Sequence, residues 1–128
     1  MKHYSKLKVY KGSNLVIKDD YSVGYSYKWY EILKTVKGVV VLNTYHYSKT
    51  TIKHIYKIRN LLYEKNVEYE ALEFPQGLQN KSAALDHYGR KIKEIQSKID
   101  NPRTRKVDFY KEELKMYQKK VDLTNALF

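Results

Sequence analysis

The side chains best suited to ligand chemistry lie close together between residues 48 and 57, where hydroxyl, ammonium and imidazole groups follow one another. They are Ser48, Lys49, Thr50, Thr51, Lys53, His54 and Lys57. Serine and threonine at a helix start cap its first N–H groups. Those N–H groups and the positive end of the helix dipole attract anions. The segment therefore predicts a phosphate-binding helix start. The alternative, in which one hydroxyl only caps the helix and the other groups are incidental, stays open.

The elements that would position this segment are a strand before it and a strand after it. Residues 39–42 form a β-branched apolar run, which is typical of a buried strand. Residues 48–64 show helical periodicity, with one apolar arc made by Ile52, Ile55, Tyr56, Ile58 and Leu62. Residues 67–74 alternate as a strand does. Strand, helix and strand in this order suit a βαβ crossover, although other pairings remain open.

The residues before this segment predict further strands. Residues 6–18 alternate around the turn pair Gly12-Ser13 and predict a β-hairpin. Residues 22–36 are ambiguous, because some apolar side chains fall at helical spacing while the Tyr, Trp, Val and Thr content favours strand. We interpret them as strand, with Trp29 in the core. Lys37-Gly38 fits either a helix C-cap or a two-residue hairpin turn.

The last third of the chain predicts two long helices. Residues 82–100 and 106–126 each carry apolar side chains at alternating spacings of three and four. Asn101 precedes a proline and places the turn between them. The pattern indicates an antiparallel helical hairpin. A second basic group lies at its tip and consists of Arg103, Arg105 and Lys106.

These elements predict an α+β protein with two parts. Residues 1–80 are expected to form a small antiparallel or mixed sheet with one packed helix, and residues 81–128 the C-terminal helical hairpin. A two-helix hairpin buries little apolar surface by itself, so pairing with a second copy is a further expectation.

Composition limits the partner more than it limits the fold. The 128 residues carry 25 Lys and Arg against 14 Asp and Glu, a net charge of +11, which favours an anionic partner such as nucleic acid. Residues 1–63 carry 12 basic against 3 acidic side chains, residues 64–80 carry 1 against 4, and residues 81–128 carry 12 against 7. Fourteen tyrosines add aromatic faces of the kind that single-strand binders stack against bases. A Lys-rich solvated surface without a ligand explains the same charge.

Several kinds of site are absent from the sequence. There is no cysteine, which removes disulfides, thiolate zinc sites and cysteine nucleophiles and fits a cytoplasmic location. No apolar run is long enough for a membrane span, and no signal core follows the first residues. The four histidines form no metal-binding pair, and the carboxylates form no compact set for magnesium. The sequence therefore predicts no catalytic residues, no metal and no cofactor.

Three short runs resemble a known group of proteins. They are Tyr25-Ser26-Tyr27, the apolar run 39–43 and the motif Tyr47-Ser48-x-Thr50-Thr51-x-Lys53-His54. Together they resemble small domains of unknown function encoded by large tailed phages, whose pattern is an aromatic strand, an apolar strand and a Tyr-Ser-x-Thr-Thr-x-Lys-His helix start. The resemblance covers about residues 22–63. It implies a phage origin, and hence the host cytoplasm, but no activity.

Three hypotheses about function follow. The first is a non-enzymatic phage accessory protein that binds DNA or RNA through the helix start, with the basic hairpin tip adding positive charge. The second is a phage inhibitor of a host protein or defence complex, such as a CRISPR ribonucleoprotein, that acts through protein–protein contacts of the hairpin. The third, a nuclease or nucleotide-processing enzyme, requires a catalytic site that the sequence does not show.

Overall fold

The computed structural model describes residues 15–17, 23–27 and 29–128. The chain divides into two compact units, Met1–Asn80 and Lys81–Phe128. The described elements, in chain order, are β1 (Val16–Ile17), β2 (Val23–Ser26), β3 (Tyr30–Val36), β4 (Val39–Asn43), α1 (Lys49–Glu64), β5 (Glu70–Leu72), α2 (Lys81–Asp100) and α3 (Val107–Leu127). The predicted fold class, a mixed sheet with one helix followed by a helical hairpin, is confirmed.

In the described part of the first unit, the strands form one sheet in the order β1-β2-β3-β4-β5. Strands β1 to β4 pair antiparallel with their neighbours. Strand β5 pairs with β4 in parallel, with Val41 opposite Glu70 and Asn43 opposite Leu72. Two adjacent parallel strands need a crossover connection, and α1 lies within the segment that connects β4 to β5. The βαβ interpretation is confirmed, although β5 is shorter than the predicted strand over 67–74.

The described part of the ambiguous segment 22–36 forms strands β2 and β3, so the strand interpretation is confirmed. Lys37 and Gly38 then join β3 to β4 as a hairpin turn. Both residues have positive φ, 50° and 80°, as a two-residue type I′ turn requires. The hairpin predicted over 6–18 falls largely outside the described residues, since only 15–17 of that range are described.

The prediction that Trp29 lies in the core is wrong, because about half of its surface is exposed. Trp29 sits in the turn between β2 and β3, where neither face of the sheet covers it. Its neighbour Tyr30, the first residue of β3, takes the fully buried position instead. Trp29 belongs to the turn and Tyr30 to the strand that packs on the core, which is why these two neighbouring aromatic side chains differ so strongly in exposure.

Helix α1 packs against the sheet through a narrower arc than the sequence predicted. Ile55, Ile58 and Leu62 are buried and join a core that includes Leu33 and Leu42. Tyr56, which was expected on the same arc, is instead half exposed. At 3.6 residues per turn it lies about 100° around the helix from Ile55, which places it on the solvent side of the core arc.

Gly24 allows β2 to lie close to the strands on either side. A Cβ at this position would lie 2.9 Å from the Leu33 Cβ and 3.1 Å from the Ile17 Cγ1. The register between β2 and β3 shifts directly after Gly24, as at a β-bulge, which re-aims the side chains that follow. Ser26 is the last residue of β2, and its buried hydroxyl meets the first turn of α1.

The second unit is the hairpin formed by α2 and α3. Both helices begin and end within one residue of the predicted ranges, 82–100 and 106–126. The rings of Tyr88 and Tyr117 are buried and lie 6.2 Å apart between centroids, as their a/d spacing predicts. No helix among the described residues has an apolar stretch long enough to cross a membrane.

Candidate functional site

Two exposed aromatic side chains meet near the start of α1, one from the loop that precedes the helix and one from the turn between β2 and β3. Trp29 is 51% exposed and Tyr47 is 43% exposed. Their rings meet edge to face, with 5.6 Å between centroids and 85° between planes. We call this pair the aromatic ledge. Exposed rings held by neighbouring rings offer a surface on which another flat ring can stack.

The backbone of Trp29 is held by the segment that follows β5. The side-chain amide of Gln79 donates to the Trp29 carbonyl at 3.0 Å, and its Oε1 accepts from the Glu31 N–H at 3.3 Å. Gly77 makes this approach possible, because it has φ of 89° and a Cβ there would lie 2.1 Å from the Gln79 Oε1. The exposed indole therefore stands on a fixed backbone.

The loop that carries Tyr47 is held by Asn43, the last residue of β4. The fully buried Asn43 amide donates to the Phe74 carbonyl at 2.9 Å, and its Oδ1 accepts from the Phe74 N–H at 3.0 Å. The same Oδ1 accepts from the Tyr45 N–H at 3.1 Å. The Tyr30 hydroxyl also donates to the Phe74 carbonyl, at 3.0 Å. These bonds tie the loop over 44–48 to the sheet and to the chain after β5.

A chain of hydroxyl groups links this region to the first turn of α1. The Tyr27 hydroxyl lies 2.9 Å from the Ser48 Oγ, which accepts from the Thr51 backbone N–H at 3.1 Å and so caps the helix. The Thr51 Oγ1 lies 3.1 Å from the Ser48 Oγ and 3.0 Å from the Ser26 Oγ. Finally, the Ser26 Oγ lies 2.8 Å from the His54 Nδ1. We call these five residues the hydroxyl network; it joins β2 to the helix start.

Three pKa values near the site are shifted, each for its own reason. Hydrogen bonds, the largest from Ser48, lower the pKa of Tyr27. Burial raises the pKa of Tyr30 to about 12. Burial, followed by the positive charge of Lys57, lowers the pKa of His54 below its usual 6.5. Burial therefore favours the neutral form of His54, and the lysines supply the positive charge at the helix start.

The structure divides the predicted site residues of α1 between surface and interior. The exposed ones are Lys49, Thr50 and Lys53, and the partly buried ones are Ser48 and Lys57. Thr51 and His54 are buried in the hydroxyl network. Their side chains are bonded within the hydroxyl network, so the exposed members are the ones accessible to a ligand.

The other predicted group, Arg103, Arg105 and Lys106, is exposed in the turn between α2 and α3. The Asn101 Oδ1 accepts from the Arg103 N–H at 3.0 Å, and the Asn101 carbonyl accepts from the Thr104 N–H at 3.0 Å. These bonds form a tight Asx-type turn that brings the three cations to one end of the hairpin. They belong to the second unit, whereas the α1 residues belong to the first.

The aromatic ledge borders an open groove with a cavity volume of about 740 Å³. Side-chain amide and imidazole groups lie beside the rings, and the lining residues are Trp29, Tyr45, His46, Tyr47, Pro75, Gln76, Gln79 and Asn80. The volume falls within the range of ordinary ligand pockets. Aromatic faces next to amide donors and acceptors suit a flat ring with polar edges, such as a nucleobase.

Sequence reasoning missed the aromatic ledge, because it placed Trp29 in the core and gave Tyr47 no role. One signal was available: Tyr27, Trp29 and Tyr30 crowd a stretch that joins two strands, and Tyr47 comes directly before the N-cap Ser48. An aromatic side chain at a turn cannot pack against a face of the sheet as a strand residue does, so such a position favours exposure.

Neither metal ligands nor relatives identify a reaction at this site. In the described part of the chain, no three His, Asp or Glu side chains group in a way that could hold a metal ion. Comparison of the chain with protein-family models, curated proteins and solved structures gives no match.

Proposed function

We propose that this protein is a non-enzymatic accessory protein that binds nucleic acid at the start of α1. The observation that carries the proposal is the aromatic ledge beside two exposed lysines. Tyr47 precedes Lys49 by two residues and Lys53 by six, and all three side chains are exposed. A surface suited to base stacking and side chains that attract phosphates thus follow one another at the start of α1.

The two kinds of side chain have different tasks in this proposal. Ammonium groups attract phosphates and give an affinity that falls with salt and carries little sequence choice. Aromatic rings stack on base faces, which are accessible in single strands and hidden in a duplex. Together they favour single-stranded DNA or RNA over duplex.

A binding titration tests the proposal. Fluorescently labelled single-stranded DNA, duplex DNA and RNA are titrated with the pure protein at about 50 and about 200 mM salt. We expect single strands to bind more tightly than duplex, and the logarithm of the binding constant to fall linearly with the logarithm of salt. Absence of binding to all three at the lower salt would overturn the proposal.

The basic hairpin tip is assigned a supporting role in this function. Arg103, Arg105 and Lys106 are exposed cations at the turn, and contacts from such side chains to phosphates do not read the bases. Changing Arg103 and Arg105 to Glu should therefore lower the affinity for single strands and the affinity for duplex by the same factor. A loss confined to single strands would contradict this role.

A second function, inhibition of a host protein or defence complex, is favoured by one feature of the hairpin. Phe109 and Met116 are 53% and 46% exposed on α3, and their spacing of seven places them on the same helix face. Such a face is suited to a protein partner or to a second copy of the chain. If Phe109→Asp abolishes capture of a host protein while Trp29→Ala does not, this second function replaces the first.

The phage origin and the host cytoplasm belong to the proposal as well. They are supported by the likeness of the Tyr47–His54 motif and its preceding strands to small phage-encoded domains. Finding the gene outside any phage or prophage region would contradict the origin without affecting nucleic-acid binding.

A further inference from the structure

A second aromatic groove lies at the opposite end of α1 from the ledge. Its cavity volume is about 700 Å³, and its lining includes Tyr56, Tyr63 and Tyr69. Tyr56 is 50% exposed and Tyr63 is 84% exposed. We call it the C-terminal groove. Exposure of two rings around one cavity is a feature that core packing does not explain, since α1 packs through Ile55, Ile58 and Leu62.

A cation already lies on one of these rings. The Arg59 guanidinium carbon is 5.7 Å from the centroid of the Tyr56 ring. A guanidinium over an aromatic ring makes a cation–π contact and also offers a flat surface of its own. Both groups can stack on a base, so Arg59 extends the aromatic surface rather than blocking it.

One exposed stripe of α1 connects the two ends of the helix. It consists of Lys49, Lys53, Tyr56, Asn60 and Tyr63, all exposed and spaced by four, three, four and three residues. This spacing places the five side chains on one helix face. From Lys49 to Tyr63 the helix rises about 21 Å, which corresponds to about six nucleotides of a stacked strand.

The C-terminal groove suits a base better than a phosphate. It lies at the negative end of the helix dipole, which repels anions. Glu68 also lines it, in a segment where residues 64–80 carry one basic against four acidic side chains. A carboxylate and the amides of Asn60 and Asn66 can accept from or donate to the polar edge of a base.

We infer that the C-terminal groove stacks an unpaired base of the same strand whose phosphates contact Lys49 and Lys53. This inference rests on the proposed function and adds a second base-binding position, so the ligand is a single strand that follows the exposed face of α1. Tyr56 and Tyr63 supply the stacking faces.

Photocrosslinking of the full-length protein tests the inference. Single-stranded oligonucleotides of about 3 and about 12 nucleotides carry one photoreactive iodinated base, and crosslinked residues are located by mass spectrometry. We expect the longer strand to crosslink at Tyr56 or Tyr63 as well as at the ledge. Binding without any crosslink at Tyr56, Arg59, Tyr63 or Tyr69 would overturn the inference and leave the proposed function standing.

Variants give an independent readout. We expect Tyr56→Ala and Tyr63→Ala each to lower the affinity for the 12-nucleotide strand about 5- to 100-fold. The affinity for the 3-nucleotide strand should not change. Tyr56→Phe and Tyr63→Phe keep the stacking face and should retain most of the affinity. Equal affinities for the Ala and Phe variants, with circular dichroism showing both folded, would contradict the inference. If the wild-type protein binds neither strand, the proposed function fails first.

Discussion

The ring of Tyr47 lies stacked on the ring of Tyr30, with 4.4 Å between centroids and 24° between planes. One ring is exposed and the other is fully buried. The buried ring is fixed by its hydroxyl bond to the Phe74 carbonyl. A surface ring on such a support loses little side-chain freedom when a base stacks on it, which lowers the entropic cost of binding.

We first predict that the ledge contributes to affinity and contributes less to stability than a buried aromatic does. Trp29→Ala and Tyr47→Ala should each cost about 1 to 3 kcal/mol of binding free energy for single-stranded nucleic acid. Their free energies of unfolding should change much less than the 3 to 5 kcal/mol typical of a buried aromatic. Fluorescence anisotropy and urea unfolding measure the two quantities. Phe109→Ala, an equally exposed aromatic on α3, is the matched control and should leave affinity unchanged. A similar loss in that control would remove the special role of the ledge.

A second prediction concerns the lysines at the helix start. Lys49→Gln and Lys53→Gln should each weaken binding and reduce the slope of log affinity against log salt by about 0.7, the contribution of one single-strand phosphate contact. Salt titrations of each variant measure the slope. Lys119→Gln makes the same charge change at an exposed position of α3 and serves as the control. If the Lys49→Gln and Lys53→Gln variants kept the salt slope of the wild type, the phosphates would bind elsewhere on the protein.

A third prediction concerns Asn43 and the loop that holds Tyr47. Asn43→Leu would remove the hydrogen bonds that Asn43 makes with the Phe74 N–H, the Phe74 carbonyl and the Tyr45 N–H, although the carbonyl would keep its bond from the Tyr30 hydroxyl. Because losing hydrogen bonds to buried polar groups destabilises a protein, we expect the free energy of unfolding to fall by about 2 to 4 kcal/mol. Urea unfolding measures it. Asn125→Leu, at an exposed position of α3, should stay within about 0.5 kcal/mol of the wild type. Equal effects would mean that the Asn43 bonds do not hold the loop.

A fourth prediction compares two glycines with positive φ. Gly38→Ala meets no atom within 4 Å, whereas Gly77→Ala meets the Gln79 side chain. Both pay the backbone cost of a left-handed residue, of the order of 1 kcal/mol. Only Gly77→Ala should also displace Gln79 from the Trp29 carbonyl, which we expect to broaden and shift the Trp29 fluorescence. An identical Trp29 spectrum in both variants would argue against the Gln79 contact as the support of the ledge.

The fifth prediction follows from the lowered pKa of His54. Because the folded state resists protonation, the unfolded state binds more protons below pH 6.5, and stability falls as pH falls from 6.5 towards the folded pKa. Above 6.5 this contribution is fully present. In His54→Asn the contribution disappears, so its stability should depend less on pH over that window. Parallel pH profiles for wild type and His54→Asn would contradict the assignment.

The helices and the crossover could be predicted because their signals are local or periodic. The hairpin follows from apolar spacing with a proline-marked turn, and α1 from its cap at Ser48 and its core residues Ile55, Ile58 and Leu62. The intervening helix suited a parallel pairing of β4 and β5 but left other pairings open, and the structure decides between them. Such patterns need no knowledge of distant contacts.

The site was harder to predict, because it depends on which side of the chain each residue faces. Trp29 and Tyr30 are adjacent aromatics, yet one is exposed and the other is core, and only the position of the turn decides between them. His54 is surrounded by lysines in the sequence, as a surface residue would be, but in the fold its ring is buried against the Ser26 hydroxyl at the end of β2. Contacts between residues 25 or more positions apart, such as Ser26 with Thr51, leave no local signal.

The most direct test of the central claim uses the fluorescence of Trp29, which is the single tryptophan of the chain. The protein is titrated with unlabelled single-stranded DNA at about 50 mM salt, and the salt is then raised to about 200 mM. We expect saturable quenching of Trp29 fluorescence that is largely reversed by salt and is much weaker with duplex DNA. Binding detected by anisotropy without any change in Trp29 fluorescence, or no binding at all, would contradict it.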